Sequence, residues 1–359
     1  MSFDPLSQDP RFAEPVPLHK RFVGKLLLSA GVFVWMLFLA EAFMRLAVEV
    51  EYRPLYKKQW GVMLHRESSV PGLRYELAPD AQLIHWDLPV ITNSHGMRDD
   101  PPIENPPETM KRIVALGDSV TFGFGVQQRQ AYPNLLEQLL NGGELLPGCE
   151  FEVLNFGVSG YSTRDEALVF EHKAITTRPD FVLIGYHMND PEDEAIQPLQ
   201  LHFEGPHWWQ YSHLFRSLAG VLHERDKQRL GGGDYFKYLH APEGRKWKGV
   251  LESFDRIQSL AKQRDGKPMP VLVVIFPFFD GYADWEDYPY TAQHAQVAAA
   301  CEDRGWEVLD AYEVFRASGL TRWDLRLERG HPKPEGHRLV AVALRKRLEA
   351  YSSCLSTRR

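Results

Sequence analysis

From residue 111 onward, short apolar segments typical of buried strands alternate with segments of helical periodicity. The strand-like segments are RIVALG (112–117), FEVLNFG (151–157), FVLIGY (181–186), PVLVVIF (270–276) and WEVLD (306–310). The helical segments are 131–140, 163–174, 251–263, 292–303 and 334–350. Apolar runs of this length that alternate strictly with helices indicate a parallel sheet covered on both faces. The pattern therefore predicts an α/β fold built on a five-stranded parallel sheet.

The overall composition excludes several other classes of protein. The 359 residues are 44% hydrophobic and 25% charged, values that rule out collagen-like and wholly disordered chains. A formal net charge of -7 is not the positive charge typical of proteins that bind nucleic acid, so we expect no nucleic-acid partner. The cysteines at 149, 301 and 354 are too far apart for a zinc motif or a disulfide framework.

An apolar segment near the N-terminus, residues 22–48, is the candidate membrane segment. Its uncharged centre, 26–40, has 15 residues, fewer than the roughly 20 needed to span a bilayer. The whole segment spans if Lys25 snorkels back and Glu41 and Arg45 lie near the far interface. A cleaved signal peptide and a buried soluble helix are the alternatives, and Ala40-Glu41-Ala42 looks like a cleavage site. We favour a membrane anchor because the apolar pattern continues beyond that site.

Polar clusters follow the predicted strands at the points where ligands bind in open parallel sheets. The first strand is followed by Asp118-Ser119, the second by residues 155–160 and the third by residues 187–190. A fourth cluster, residues 328–331, precedes the last helix. Because strand ends meet at one edge of a parallel sheet, the sequence predicts a site there.

These clusters resemble the sequence blocks of the SGNH hydrolase family, also called GDSL-type esterases and lipases. The blocks are GDSVTFGFG (117–125), NFGVSG (155–160), HMND (187–190), in which Met188 replaces the usual glycine, and ERGH (328–331), in which Glu328 replaces the usual aspartate. The resemblance covers 112–350 except the insertion, and NSHGMRDD (93–100) is similar to a stretch before such domains in membrane-anchored bacterial members. It implies a three-layer flavodoxin-like sandwich, the SGNH hydrolase fold.

The expected chemistry is nucleophilic catalysis by serine. Ser119 follows a strand on a tight turn, and a serine hydroxyl needs a base to take its proton. His331 is the candidate base, since a neutral imidazole is available near pH 7. The resemblance assigns the carboxylate that orients His331 to Glu328, with Asp324 as the alternative. The other interpretation of Ser119 is an ordinary helix N-cap.

The resemblance also implies an oxyanion hole. Its donors are the backbone N–H of Ser119, the backbone N–H of Gly160 and the side-chain amide of Asn189. Asp118 is expected to brace the turn through hydrogen bonds, and His337 to have a structural role. The sequence lacks the motif of α/β-hydrolases, the motifs that bind a dinucleotide or a nucleoside triphosphate, and the zinc-protease motif. We therefore expect no metal and no cofactor.

The insertion at 191–250 contains an aromatic stretch, residues 207–224, in which the spacing from Tyr211 to Leu222 suits an amphipathic helix. Three interpretations stay open for it: a subdomain packed on the core, a lid over the cleft, or a surface that dips into the membrane.

The sequence therefore predicts a single-pass inner-membrane esterase with a periplasmic catalytic domain. The predicted order is a cytoplasmic tail (1–21), a transmembrane anchor (22–50), an extracytoplasmic extension and linker (51–110), the hydrolase domain (111–351) and a tail (352–359). The extension is aromatic, Pro-rich and irregular apart from one predicted strand, LPVITN (88–93). The predicted substrates are acylated small molecules, lipids or glycans, with a preference for O-acyl groups of envelope or exported glycans. An O-acyltransferase that uses the same serine and a non-catalytic scaffold are the alternatives. The motifs leave the acyl chain, the alcohol and the oligomeric state open.

Overall fold

The computed structural model describes residues 18–47, 63–85, 87–142, 149–193, 212–230, 234–262, 266–327 and 330–349. The chain divides into two compact units, one formed by residues 1–50 with 207–222 and the other by residues 51–206 with 223–359. The tails predicted at 1–21 and 352–359 lie largely or wholly outside the described residues.

In the first unit, helix α1 (Leu18–Ala47) contains the apolar segment. Its stretch Phe22–Leu46 has 25 residues and a mean hydropathy of 2.1, and none of its most apolar part is buried. By length and composition this one helix is able to cross a membrane, a criterion that a signal sequence also meets. The unit also contains the first part of a later helix, α5 (His213–Leu230).

The second unit is built on a parallel sheet in which four strands are buried along their whole length and the fifth is mostly half-buried. In chain order these strands are β5 (Lys111–Gly117), β6 (Phe151–Asn155), β7 (Phe181–His187), β8 (Val271–Phe276) and β9 (Glu307–Asp310). Their spatial order is β6-β5-β7-β8-β9, and every neighbouring pair is parallel. This is the order of flavodoxin-like sheets, in which the ligand crevice opens where the order reverses, beside β5 and β7.

Helices cover both faces of the sheet, which makes three layers. The helices are α2 (Ser119–Phe122), α3 (Tyr132–Asn141), α4 (Thr163–His172), α6 (Tyr235–Leu239), α7 (Arg245–Leu260), α8 (Thr291–Glu302), α9 (Ala311–Ala317), α10 (Arg322–Leu325) and α11 (Pro334–Glu349). Side chains of α4, α7 and α8 belong to one apolar core, and those of α3, α9 and α11 to the other. The α/β prediction and the five-stranded parallel sheet are confirmed.

The extension before the sheet is more regular than the sequence indicated. It contains two antiparallel hairpins, formed by β1 (His65–Glu67) with β2 (Tyr75–Leu77) and by β3 (Gln82–His85) with β4 (Leu88–Ile91). Only β4 was predicted as a strand. Strands of three or four residues are too short for a clear alternation of polar and apolar side chains, so this part of the chain was wrongly interpreted as irregular.

Candidate active site

Small residues let the short helix α2 sit directly on the ends of two paired strands. Gly117 on β5 is in register with Gly185 on β7. A Cβ atom at Gly117 would lie 2.0 Å from Thr121 Oγ1, and one at Gly185 would lie 2.4 Å from the same atom. Because Thr121 belongs to α2, any larger residue at either strand position would displace the helix that begins at Ser119.

Asp118 fixes the start of that helix. Its Oδ1 accepts a hydrogen bond of 2.8 Å from Val120 N, so Asp118 is the N-cap of α2. Ser119 is the first helical residue, and the interpretation of Ser119 as the cap is therefore wrong. The Ser119 hydroxyl donates to Asp118 Oδ2 at 3.3 Å, and its oxygen has a second partner that comes from near the end of the chain.

That partner is His331, 212 residues further along the chain. His331 Nε2 and Ser119 Oγ are joined by a hydrogen bond of 2.8 Å. The ring of Phe124 packs on the imidazole, with ring centroids 4.4 Å apart and an angle of 30° between the planes. Phe124 N in turn donates to Ser119 O at 2.9 Å, so the segment that carries the hydroxyl also supports the imidazole.

The second sequence block ties the end of β6 to α2. Asn155 is almost fully buried, and its Nδ2 donates to Thr121 O at 2.8 Å while its Oδ1 accepts from Gly157 N at 2.9 Å. Gly160, further along this loop, has a φ of +81°, a left-handed conformation that favours glycine.

Asn189 follows β7, the strand paired with the one that leads to Ser119. Its Oδ1 accepts a short hydrogen bond from His187 Nδ1, which leaves the Nδ2 amide group of Asn189 as the donor on the other side. His187 Nδ1 also lies 3.9 Å from Asp118 Oδ2. Asn189 is therefore linked through His187 to the residue that caps the serine helix.

Two residues of the NSHGMRDD segment hold this region from outside the predicted hydrolase domain. Arg98 is buried, and its guanidinium donates to Gly123 O at 2.6 Å and to Val126 O at 2.7 Å. Asp99 Oδ2 accepts from Asn155 N at 2.8 Å, and burial raises the pKa of Asp99 to about 7. Neither residue was predicted to have a role, and the only signal in the sequence was their place in that segment.

Two carboxyl groups beside the site are fully buried. Asp190 directly follows Asn189, and Glu166 belongs to α4; among the described residues neither carboxyl group has a hydrogen-bond partner. Burial raises the pKa of both groups well above the usual range; the neighbouring Glu166 raises the pKa of Asp190 further, and Asp118 raises the pKa of both. The charged form of both carboxyl groups is therefore disfavoured beside Asp118.

The remaining predicted residues lie in different surroundings. Glu328 lies outside the described residues, so its role stays a prediction. The Asp324 carboxylate is exposed and accepts from Thr321 N at 2.9 Å and Thr321 Oγ1 at 2.6 Å, bonds that lower its pKa. His337 is fully buried, its Nδ1 accepts from Tyr132 N at 3.2 Å, and burial lowers its pKa to about 3. His337 thus joins α11 to α3, as a structural residue does.

In the part of the chain that the structure describes, no group of three or more His, Cys, Asp or Glu side chains is arranged to hold a metal ion. The geometry consists instead of a hydroxyl against an imidazole, with a side-chain amide and a glycine loop nearby. Such an arrangement suits acyl transfer through a serine.

Comparisons with known proteins agree with this geometry. Residues 115–339, more than half of the chain, match the GDSL-like lipase/acylhydrolase family. No curated protein matches the sequence.

Similar solved structures are esterases of low sequence identity. An acetylxylan esterase from Geobacillus stearothermophilus is 19% identical, with a TM-score of 0.41, and the match covers 66% of this chain and 93% of that one. A two-domain esterase active on acetylated mannans, co-crystallised with mannopentaose, is 17% identical, with a TM-score of 0.42 and coverage of 68% and 50%. The family match identifies a carboxylic ester hydrolase, and the chain belongs to the GDSL-like lipase/acylhydrolase family.

Proposed function

We propose that the protein hydrolyses esters through a covalent acyl-enzyme in which Ser119 is the nucleophile and His331 the general base. The observation that carries the proposal is the 2.8 Å hydrogen bond between Ser119 Oγ and His331 Nε2. Two side chains 212 residues apart make this contact at the sheet edge where ligands bind in flavodoxin-like folds.

In the first half-reaction, Ser119 Oγ attacks the carbonyl carbon of the ester while its proton passes to His331 Nε2. The tetrahedral intermediate then collapses, the bond to the alcohol oxygen breaks, and His331 gives its proton to the departing alcohol. In the second half-reaction, His331 takes a proton from water, and the hydroxide attacks the acyl group. The acid leaves, and Ser119 recovers its proton from the imidazolium.

The negative charge on the carbonyl oxygen needs hydrogen-bond donors in both half-reactions. The proposed donors are Ser119 N, Gly160 N and Asn189 Nδ2. The hydrogen bond from His187 to Asn189 Oδ1 supports this assignment, because it fixes which side of the amide is the donor. Loss of one such donor typically lowers turnover by about 10²–10³.

The proposed orienting carboxylate is that of Glu328, with Asp324 as the alternative. Asp324 is already engaged by Thr321 at 2.6 and 2.9 Å, which favours Glu328. Under this proposal Glu328→Ala lowers the rate of ester hydrolysis strongly, whereas Asp324→Ala acts mainly on the local stability of α10.

The proposed substrate is an O-acyl group on an envelope or exported glycan or on a lipid. The apolar helix Phe22–Leu46 supports this choice, because a single-pass anchor with a periplasmic catalytic domain holds the enzyme beside such material. The ring of Phe124 beside His331 adds an apolar surface next to the reacting group.

Labelling of the purified full-length chain in detergent with a fluorophosphonate probe tests the nucleophile without knowledge of the substrate. We expect one adduct at Ser119, none in Ser119→Ala, and very slow labelling in His331→Ala. Ser159→Ala, which removes the hydroxyl of the residue before Gly160, is the matched control and should be labelled like the parent. Fast labelling of the His331 variant, or an adduct on another serine, contradicts the assignment.

Hydrolysis and acyl transfer share the first half-reaction, so a second assay separates them. The acyl-enzyme is formed from p-nitrophenyl acetate with and without a glycan acceptor, and the products are followed by mass spectrometry. Free acetate at the same rate in both reactions supports hydrolysis. Acetylated glycan that replaces free acetate supports the acyltransferase.

A further inference from the structure

The aromatic insertion and the apolar N-terminal helix belong to the same compact unit. Residues 207–222 group with residues 1–50 and not with the rest of the chain. The part of the insertion in question is the first half of α5, which begins at His213. The first half of α5 therefore packs in the same unit as the candidate membrane helix.

A carboxylate on α1 binds the start of α5 through three hydrogen bonds. Glu41 Oε2 accepts from Ser212 Oγ at 2.7 Å and from Leu214 N at 2.9 Å, and Glu41 Oε1 accepts from His213 N at 3.0 Å. The first backbone N–H groups of a helix have no partner within it, and a carboxylate satisfies them well. This contact explains why an acidic residue is tolerated in the apolar stretch Phe22–Leu46.

Burial along α1 agrees with this contact. The side chains from Phe22 to Leu39 are all exposed, whereas Ala40, Glu41, Ala42 and Met44 are partly covered. Glu41 lies five residues before Leu46, the end of the apolar stretch, or about 7.5 Å along the helix axis. Glu41 therefore holds the start of α5 from the last turns of the apolar stretch.

From that point α5 exposes large apolar side chains. Leu218 is 49% exposed, Val221 is 65% exposed and Leu222 is 48% exposed. Positions three and four apart lie on the same side of a helix, so these three residues form one apolar face, here called the α5 face. An apolar face on a helix at the end of a membrane span fits a lipid surface.

We infer that the α5 face lies in the membrane interface, with Leu218, Val221 and Leu222 in contact with lipid. The first half of α5 is then a second membrane contact of the chain. The inference goes beyond the ester hydrolysis proposed above and rests on one part of that proposal, the assignment of α1 as a membrane anchor.

Photo-crosslinking of the full chain in lipid vesicles tests the inference. A benzophenone amino acid is placed at 218 or 221, and the chain is reconstituted with phosphatidylcholine and phosphatidylglycerol that carry a clickable acyl chain. Position 33 on α1 is the positive control. Position 342 is the matched control, because Val342 on α11 is also an apolar side chain, 41% exposed, but belongs to the second unit.

We expect lipid adducts at 33, 218 and 221 and none at 342. Lipid adducts at 33 without adducts at 218 and 221 would overturn the inference and leave the anchor intact. Crosslinks from 218 to a second copy, or to the chain itself, would overturn it as well and would identify what covers the α5 face. Absence of adducts at 33 would refute the anchor and the inference together, whereas the fluorophosphonate experiment on Ser119 would be unaffected.

A variant of the contact between α1 and α5 distinguishes a specific placement of α5 at the membrane from nonspecific adsorption to lipid. Glu41→Ala removes all three hydrogen bonds to the start of α5. We expect it to reduce the lipid adducts at 218 and 221 and to leave those at 33 unchanged. Unchanged adducts at all three positions would refute the role of Glu41 in holding α5 at the membrane.

Discussion

Asn155 offers a test of how the sheet edge holds the proposed nucleophile, Ser119, because Asn155→Asp changes a single buried atom. In the parent, Nδ2 donates to Thr121 O at 2.8 Å and Oδ1 accepts from Gly157 N at 2.9 Å. The variant keeps the acceptor for Gly157 but replaces the donor with an oxygen that faces the Thr121 carbonyl. Asn155 is only 1% exposed, so water is unable to relieve this contact.

The expected magnitude follows from two costs. An unsatisfied buried carbonyl costs about 1–3 kcal/mol. Burial also disfavours the charged form of the new carboxyl group and raises its pKa. We therefore expect a loss of roughly 2–4 kcal/mol at about pH 8. At roughly 2–4 °C per kcal/mol, the melting temperature should fall by about 4–16 °C.

The loss of stability in Asn155→Asp should become smaller as the pH falls. The carboxyl group of the variant has a higher pKa in the folded chain than in the unfolded chain, so the folded state binds more protons between these two values. Stability therefore increases as the pH falls, since the protonated oxygen is again able to donate to Thr121 O. Below both pKa values most of the loss should be recovered.

Thermal unfolding followed by intrinsic fluorescence at about pH 5 and about pH 8 measures this effect. Asn141→Asp is the matched control, because Asn141 makes the same pair of bonds to Phe151 N and O, at 2.9 and 2.8 Å, from an exposed position. We expect little change in the control. A melting temperature for Asn155→Asp equal to that of the parent at the higher pH, or an equal loss at both pH values, refutes the reasoning.

Three further predictions concern the surroundings of Ser119. Arg98→Lys loses the fork that binds Gly123 O and Val126 O, so we expect a lower kcat for p-nitrophenyl acetate with little change in KM, and a smaller effect than in Arg98→Ala. Phe124→Ala removes the ring that packs 4.4 Å from His331 and should slow fluorophosphonate labelling, whereas Phe124→Tyr should preserve it. Burial raises the pKa of Asp190, so stability should fall as the pH rises toward that pKa, and Asp190→Asn should flatten the dependence of melting temperature on pH.

The sheet was predictable from the sequence because four of its five strands, β5 to β8, are buried on both faces. Such strands form uninterrupted apolar runs, and those at 112–117 and 270–276 correspond to β5 (Lys111–Gly117) and β8 (Val271–Phe276) almost to the residue. The hairpins in the extension were mostly missed because their strands do not form apolar runs of this kind. Each of their strands has only three or four residues, and part of their order comes from tertiary contacts such as that between Tyr75 OH and Ser159 O, 2.8 Å apart.

The candidate site was predictable to the extent that it consists of strand ends. Ser119 and Asn189 follow β5 and β7, which pair directly, and the motifs named both residues. Contacts from outside these motifs were not predictable. Arg98 reaches Gly123 O from a segment that precedes the sheet, and no periodicity in the sequence relates these two positions.

Arg98 also indicates how the extension and the proposed catalytic residues form one structure. Its guanidinium binds Gly123 O, the carbonyl of the peptide that leads into Phe124, and Phe124 packs on His331. The adjacent Asp99 accepts from Asn155 N, and Asn155 holds the Thr121 carbonyl of the serine helix. Arg98 and Asp99, which precede the family match, thus support the segments that hold Ser119 and His331. The contact between these two side chains is the hydrogen bond of 2.8 Å. A truncated chain that begins at the first strand of the sheet would lack Arg98 and Asp99, and we therefore expect it to label more slowly with fluorophosphonate than the full chain.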